Sequence, residues 1–260
     1  MDRESISKFY KTDKYIEKHP SLHEEDSPWK VTKIIPMVDL FIKNHCDGNE
    51  INVLDVGGGA GLILKSISAH IQERHGIKVN KFVLDLSPGM LKIQKRNNPD
   101  IKGVFNEDIT KVSLRDKEMD LVLMIDVIEH VSEPLRALKE LIRISKFTIF
   151  KVPLEDNSYY NILNFLSRGK FRRNNIETSG HINVYNLSKL RNQIEANAGT
   201  IADYYFTDVF SCYLNPECYK GRISLFDRLY YLVASLTHKL SPRLCSYIFT
   251  DFVILLVKAK

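Results

Sequence analysis

Three aspartates, each at the end of a short apolar run, are the strongest candidates for chemistry in this sequence. Asp55 comes just before the glycine-rich stretch 57–61, and Asp85 and Asp108 end the next two runs. A glycine-rich turn between a strand and a helix lets a ligand approach the backbone closely, and the start of the helix offers unpaired N–H groups. The pattern predicts a ligand site of the kind that nucleotide-binding folds use.

The spacing of the glycines and acids narrows the choice of ligand. The dinucleotide fingerprint is incomplete because Leu62 stands where its third glycine is needed, and no Gly-Lys-Ser/Thr follows to make a P-loop. A carboxylate at Asp55 would repel phosphate but suits a cationic ligand. Asp85 stands where a strand-end carboxylate takes both hydroxyls of a ribose. Asp108 can accept from an exocyclic amine. S-adenosylmethionine has a cationic amino-acid part, a ribose and an adenine amine, and it carries no phosphate.

Four segments in the expected order, VLDVGGGAG, FVLDLSPGM, NEDI and DLVLMIDVIEHVSEP, resemble the class I S-adenosylmethionine-dependent methyltransferases, over most of the chain. The resemblance implies an α/β, Rossmann-like fold. Its mostly parallel sheet would have seven strands, helices on both faces and one antiparallel closing strand. The cofactor would be S-adenosylmethionine, and S-adenosylhomocysteine would be the product. The implied cofactor residues are Asp55, Gly57, Gly58, Gly59 and Gly61 for the methionine part, Asp85 for the ribose, Leu86, Met90, Asp108 and Ile109 for the adenine, and Asp126 for the methionine side of the pocket.

Each part of this site also has a plainer interpretation. The stretch 57–61 could be an ordinary tight turn from strand to helix, and Asp85 could be a helix cap. Glu107 is adjacent to Asp108 and could take its place.

The elements that must position these residues alternate along the chain from residue 51 onward. Apolar runs alternate with helical patterns, as expected for a parallel sheet covered by helices. The segment 1–50 is predicted to be a helical lid, and 51–260 the methyltransferase core. Two insertions interrupt that core, at about 154–186 with one short helix, and at about 210–248. The predicted strands are 51–56, 78–87, 101–109, 118–128 and 146–153, closed by 200–210 and 250–260.

Two histidines are the candidates for catalysis. Methyl transfer from a sulfonium needs alignment and the exclusion of water, and a general base adds rate when the acceptor is a hydroxyl. His130 follows the fourth strand, and His181 follows the first insertion. The alternatives are a packed or capping His130 beside Glu129, and a His181 that ties down its loop. In the resembled family the Glu-His pair is frequent whatever the substrate, which favours a cofactor-side role for His130. Asp126 is a further candidate base.

The acceptor is narrowed by absent signatures. No Asn/Asp-Pro-Pro-aromatic motif follows the fourth strand, and no paired-glutamate loop is present, which disfavours nucleic acid bases and arginine side chains. Oxygen, carbon or a simple amine stays open as the target atom. Oxygen is the first expectation, in a sugar, a lipid-linked compound or a secondary metabolite. The basic loop 168–173 is a solvated surface or a site for an anionic acceptor. The alternatives are a non-catalytic S-adenosylmethionine-binding protein and an NAD-dependent oxidoreductase.

Composition limits the remaining possibilities. The chain has 260 residues, 44% hydrophobic, with a net charge of +5. This charge permits an anionic partner or membrane surface without requiring nucleic acid. We predict a cytoplasmic monomer or homodimer without signal peptide or membrane span. The amphipathic stretch 224–240 would pack on its own domain, on a partner or on a membrane. The four cysteines lack metal-ligand spacing, so reduced thiols and no metal site are expected.

Overall fold

The computed structural model describes residues 10–12, 16–17, 24–216, 218–219 and 221–260. The other residues of the predicted N-terminal lid therefore lie outside the described part of the chain. A single sheet occupies the centre of the molecule. Its strands are β1 (Glu50–Val56), β2 (Lys78–Leu84), β3 (Gly103–Phe105), β4 (Met119–Ile125), β5 (Ser145–Pro153), β6 (Gly199–Phe206) and β7 (Phe252–Ala259).

Helices connect and cover these strands. Several begin at a residue suited to the position: Ser87 accepts a hydrogen bond from the Met90 N–H at 3.2 Å, and Pro88 occupies the first turn that follows. The helices are α1 (Ser27–His45), α2 (Leu62–His75), α3 (Pro88–Asn97), α4 (Pro134–Ile144), α5 (Ser158–Leu166), α6 (Lys170–Ser179), α7 (Leu187–Asn197), α8 (Val209–Leu214), α9 (Leu225–Leu240) and α10 (Pro242–Ile248).

The strand order is β3-β2-β1-β4-β5-β7-β6. Strands β1 to β5 pair in parallel, and β7 runs antiparallel to both of its neighbours. The predicted fold class, with one antiparallel closing strand, is confirmed. The order of the parallel strands reverses between β1 and β4, and ligand sites of open α/β sheets lie at the carboxyl ends of such a pair.

Alternate residues of the central strands feed two cores, one on each face of the sheet. Val53 and Leu121 point to the face covered by α1 and α2, while Leu54 and Val122 point to the face covered by α4 and α7. All four side chains are completely buried. Strands apolar on both faces are typical of a parallel sheet inside two helical layers. This packing fixes the carboxyl ends of β1 and β4 side by side.

Two sequence-based expectations need correction. The insertion at 154–186 contains two helices, α5 and α6, because a turn with Gly169 at φ 81° separates two helical stretches instead of one. The four cysteines are not all reduced: Cys212 and Cys218 form a disulfide. The turn after α8 brings their Cα atoms within 5.3 Å, a geometry that linear spacing did not reveal. None of the helices in the described ranges is both apolar and long enough to cross a bilayer.

Candidate cofactor and acceptor site

The glycine turn after β1 needs residues without a side chain for two separate reasons. Gly57, Gly59 and Gly61 have φ of 62°, 56° and 78°, values that other residues rarely adopt. Gly58 has no such φ, but a Cβ there would lie 2.0 Å from Oδ2 of Asp55. The Asp55 carboxylate therefore sits directly beneath the turn. The turn and this acid form one unit.

Asp55 carries a buried carboxyl group that the protein does not neutralise. Its side chain is 1% exposed, and Oδ2 has no hydrogen-bond partner among the described residues. Burial, with a smaller contribution from the Asp85 carboxylate, raises the pKa of Asp55 to about 7. Keeping this buried carboxylate charged costs free energy. A bound ligand that offers a cation or hydrogen-bond donors at this point would offset that cost. The structure thus contains a built acceptor for a positively charged group.

Asp85 lies at the end of β2, next to this unit. Its Oδ1 accepts a hydrogen bond from the Ser87 N–H at 2.9 Å, and Oδ2 accepts one from the Gln94 amide at 3.3 Å. Burial raises the pKa of Asp85 to about 6, although these hydrogen bonds oppose the shift. The helix cap at this point is Ser87, so Asp85 itself is not needed as the cap.

Asp108 and Glu107 differ in how fully their oxygens are used. Both Glu107 oxygens accept hydrogen bonds from Ser113, at 2.7 Å each. Asp108 accepts from the backbone and hydroxyl of Thr110, in both cases through Oδ1. The second oxygen of Asp108 is therefore better suited to a new donor than either oxygen of Glu107.

One cavity at the carboxyl edge of the sheet collects most of the predicted residues. Asp55, Gly58, Gly61 and His181 are not in its lining as far as the described residues go. Asp55 and Gly58 belong to the turn that frames the cavity. The predicted residues in the lining are Gly57, Gly59, Asp85, Leu86, Met90, Asp108, Ile109, Asp126 and His130.

Asp126 lines the cavity, but its carboxylate is paired with two lysines. The Lys151 ammonium lies 2.5 Å and 2.8 Å from its two oxygens, and the Lys30 ammonium lies 3.0 Å away. Lys151 is completely buried within β5. Burial alone would raise the pKa of Asp126, but the two ammoniums hold it well below its usual range. A group with so low a pKa is a poor proton acceptor, which argues against Asp126 as the general base.

The two predicted histidines lie together although they are far apart in sequence. Their ring centroids are 4.9 Å apart. His130 Nδ1 is 3.0 Å from the Gly180 carbonyl oxygen and from the Tyr10 hydroxyl. His181 Nδ1 is 2.9 Å from Oε1 of Glu155. Burial lowers the pKa of His181, but the bond to Glu155 and its charge outweigh this and leave the pKa raised.

Glu129 completes this group and is itself unusual. Its side chain is 1% exposed, and neither carboxylate oxygen has a hydrogen-bond partner within the described ranges. Burial, followed by repulsion from Asp126, raises the pKa of Glu129 to about 8. The Asn183 side chain fixes the backbone around Glu129, because it donates hydrogen bonds to the carbonyl oxygens of Ile128 and Val131 at 3.0 Å and 2.7 Å.

Several of these residues have roles that their place in the sequence does not reveal. Lys151 carried a signal, because a lysine inside an otherwise apolar strand predicts a buried partner. Glu129 appeared there merely as a neighbour of His130. Lys30 and Glu155 carried no such signal, since their partners come from distant segments.

Comparison with known proteins agrees with this architecture. The family model described as a methyltransferase domain matches residues 54–148, which include the glycine turn, Asp85, Asp108 and Asp126. Residues 54–148 therefore resemble a methyltransferase domain, within a sheet of the same Rossmann-like type. This match agrees with the predicted family, enzyme class and cofactor.

The individual matches are partial or distant. The demethylmenaquinone methyltransferase of Renibacterium salmoninarum is 36% identical over 94 residues, which span 36% of this chain and 36% of that protein. Geranyl diphosphate C-methyltransferase from Streptomyces coelicolor A3(2) superposes with a TM-score of 0.56 at 9% identity, covering 86% of this chain and 76% of the other. The 4+2 cyclase SpnF gives 0.54 at 13% identity, covering 86% and 80%. At these identities the structures share the fold alone, so the acceptor and the reaction of the whole protein need a separate argument.

Proposed function

We propose that the protein transfers a methyl group from S-adenosylmethionine to a small-molecule acceptor, at an oxygen atom. The observation that carries the proposal is a pair of carboxyls beside the glycine turn, the buried Asp55 and the partly buried Asp85, whose pKa values are both raised. Neither has an ion-pair partner in the part of the chain that the structure describes. The ammonium and ribose hydroxyls of this cofactor supply the missing cation and donors.

The remaining cavity residues fit the other parts of the cofactor. Met90 and Ile109 are buried apolar side chains that would enclose the adenine together with Leu86, and Asp108 would accept its amine. Asp126 lies on the methionine side, where its lysine partners compensate its charge. The turn backbone, from Gly57 to Gly61, would approach the methionine part.

The acceptor would bind beside the histidine pair. When bound, S-adenosylmethionine supplies a methyl group on a sulfonium: the acceptor oxygen bonds to that carbon, the carbon–sulfur bond breaks with its electron pair left on the sulfur of S-adenosylhomocysteine, and the acceptor's proton is released. His130 and His181 would activate the acceptor hydroxyl, and Glu155 would orient His181. The predicted lid over 1–50 would exclude water, and Tyr10 supports this because its hydroxyl contacts His130.

Two other functions predict different measurements. An NAD-dependent oxidoreductase would bind NAD, although Leu62 replaces the third glycine of the fingerprint and Asp55 would repel a pyrophosphate. A non-catalytic protein would bind S-adenosylmethionine without turnover. The fold itself does not decide this point, since a cyclase shares it.

Isothermal titration calorimetry and a turnover assay test the proposal. We expect S-adenosylhomocysteine to bind and NAD to give no heat. Asp85→Ala should weaken binding by roughly 10- to 150-fold, the effect of losing hydrogen bonds to a charged group. Glu107→Ala is the matched control, because Ser113 occupies both of its oxygens, and it should change affinity little. Tight NAD binding would refute the proposal. Cofactor binding without product from any hydroxyl pool would favour the non-catalytic alternative.

The outer helices support an acceptor that is lipid-linked or presented at a membrane surface. One stripe along α9 exposes Leu225, Leu229, Leu232, Leu236 and Leu240 to solvent. An exposed apolar stripe of this length on a helix is typical of interfacial membrane binding. The cytoplasmic location and the oligomeric state stay predictions.

Charge on the same surface complements anionic lipid. Asp227 is the sole acidic residue in 221–250. The ring contact of Tyr159 with Tyr230, at 4.8 Å, joins α5 to α9, and α5 itself exposes Phe165. The exposed basic residues of 168–173 and 221–243 are Arg168, Lys170, Arg173, Arg222, Arg228, Lys239 and Arg243.

A further inference from the structure

Three groups of side chains in the described residues have the composition and closeness of metal ligands. In the first, Asp39 Oδ1 already bridges the Nε2 atoms of His70 and His75 at 2.7 Å and 2.8 Å. In the second, Asp251 binds His238 at 2.8 Å and also accepts from Thr207 at 3.0 Å. Within each of these two groups, the acidic side chain already accepts hydrogen bonds from its neighbours. Neither group therefore requires an ion.

The third group, Glu129, His130 and His181, is different. It lies beside the cofactor cavity, which His130 lines. One ligand atom from each residue lies within 4.8 Å of the other two. Both oxygens of the buried Glu129 carboxylate have no hydrogen-bond partner in the described part of the chain. A buried, unpartnered carboxyl group is costly and is retained where a ligand completes it.

The surroundings of both imidazoles direct Nε2 toward coordination. His181 Nδ1–H can donate to Oε1 of Glu155 at 2.9 Å, which places the lone pair on Nε2. His130 Nδ1–H can donate to the Gly180 carbonyl at 3.0 Å, with the same consequence for its tautomer. A carboxylate or carbonyl acceptor on the remote nitrogen is the usual arrangement around a metal-bound histidine.

We propose that Glu129, His130 and His181 bind a divalent transition-metal ion next to the methyl-acceptor position. Two imidazoles and one carboxylate suit Zn²⁺, Mn²⁺, Fe²⁺ or Co²⁺ better than Mg²⁺ or Ca²⁺, which prefer oxygen ligands. Ligand atoms about 2.0–2.2 Å from such an ion lie roughly 3.4 Å apart, so side-chain rotations of about 1 Å close the site. Glu155 is then a positioning residue that acts through His181.

The metal ion would act in the proposed methyl transfer, and the role that we give to the site rests on that proposed function. A metal ion with an open position lowers the pKa of a coordinated hydroxyl, and its proton passes to solvent. The two histidines would then act as ligands and not as proton acceptors. The sequence could not predict the site, because its third ligand comes from the chain beyond β5.

Metal binding is measured without any acceptor, so its outcome is separate from that of the function. Tag-free full-length protein is stripped with a chelator, titrated with Co²⁺ and followed by visible absorption, and Zn²⁺ content is measured by mass spectrometry after dialysis. We expect one equivalent, with Co²⁺ bands of four- or five-coordinate geometry. Glu129→Gln should weaken binding at least about 100-fold, and Glu155→Gln by about 10- to 100-fold.

Asp39→Asn is the matched control, since it alters the group of Asp39, His70 and His75 and leaves Glu129, His130 and His181 intact, and it should retain the metal. S-adenosylhomocysteine binding reports whether each variant is folded. If Glu129→Gln does not fold, His181→Gln carries the same test. Wild-type protein that binds S-adenosylhomocysteine but no Co²⁺ or Zn²⁺ would overturn the inference. So would a signal that survives Glu129→Gln and disappears in Asp39→Asn. Failure of S-adenosylhomocysteine binding would instead count against the proposed function.

Discussion

At the scale of single residues, the glycine turn and its acids carry two kinds of information. Gly57 is needed for its backbone conformation, with φ at 62°. Gly58 is needed for the space that the Asp55 carboxylate occupies. The carboxyls of Asp55 and Asp85 are charged at a cost that burial imposes and that a cationic ligand would offset. Each of these physical causes gives a measurable consequence.

Gly58→Ala should disrupt the cofactor site. Its Cβ would lie 2.0 Å from Asp55 Oδ2, so the turn or the carboxylate must move. We expect a loss of about 1–3 kcal/mol in the free energy of unfolding and at least a tenfold loss of S-adenosylhomocysteine affinity. Urea unfolding and calorimetry measure the two effects. Gly48→Ala is the control, because the nearest atom to its new Cβ is 3.6 Å away. Equal behaviour of the two variants would contradict this account of Gly58.

Cofactor affinity should depend on pH between about 7.5 and 5. The pKa of Asp55 is raised to about 7 and that of Asp85 to about 6 in the free protein. The ligand favours the charged carboxylates, so binding is tightest above these values and weakens as pH falls through them. The fall should approach tenfold per pH unit for each protonated carboxyl. Calorimetry with S-adenosylhomocysteine tests this. Asp55→Asn should remove the part of the dependence near pH 7, and a flat profile in the wild type would argue against both carboxyls.

At the scale of secondary-structure elements, Asp126 forms ion pairs that connect the end of β4 to β5 and α1. Asp126 follows β4, Lys151 belongs to β5 and Lys30 to α1. The Lys151 ammonium is also 3.5 Å from the centroid of the Phe252 ring in β7. These ion pairs fix the position of Asp126, which lines the cavity. Lys30 has a second carboxylate partner in Asp26, at 3.0 Å, whereas the completely buried Lys151 ammonium depends on Asp126 for its ion pair in the described part of the chain.

Asp126→Asn should destabilise the protein more than Lys151→Met does. The first change leaves the completely buried Lys151 ammonium without its carboxylate partner, which costs about 3–5 kcal/mol, whereas Lys30 keeps its ion pair with Asp26 at 3.0 Å. The second leaves Asp126 with Lys30 and removes a buried charge, so its cost is smaller. The double variant should recover part of the loss caused by Asp126→Asn. Urea unfolding of the four proteins gives the coupling free energy. Strict additivity would show that the cluster does not act as a unit.

At the scale of the whole molecule, the sheet edge and the outer helices separate two tasks. The carboxyl edge of the sheet holds the cofactor cavity, and the helices added after β5 and β6 carry the exposed apolar stripe of α9. If these helices meet a bilayer, they would bring the acceptor side of the cavity near lipid. This is a property of the assembled surface and not of any one residue.

Vesicle flotation tests that surface. We expect wild-type protein to float with phosphatidylserine-rich vesicles and much less with phosphatidylcholine, and high salt should weaken binding. Leu229→Glu should abolish flotation because it places a charge in the apolar stripe. Leu135→Glu, at an exposed leucine of α4, is the matched control and should have no effect. No flotation, combined with a dimer in ultracentrifugation that Leu229→Glu dissociates, would assign the stripe to contacts between copies instead.

The sequence by itself determined the fold class and most of the residues predicted to bind the cofactor that line the cavity. Strand, turn and helix follow each other locally, so the acids at strand ends and the glycines after β1 are placed by short-range rules. The position of Ser87 as helix cap and Asp85 as a pocket residue was predictable for the same reason. The disulfide and the second insertion helix were not, because each depends on a turn without a clear sequence signature.

Only the tertiary structure decided what surrounds Asp126 and Glu129. Lys30 and Lys151 reach Asp126 from α1 and β5, and His181 meets His130 from a loop that follows α6. Side chains that are distant in sequence obey no spacing rule, since their meeting depends on how helices pack across the edge of the sheet. Burial then sets their charges, because removal from water raises the cost of every unpaired carboxylate and ammonium.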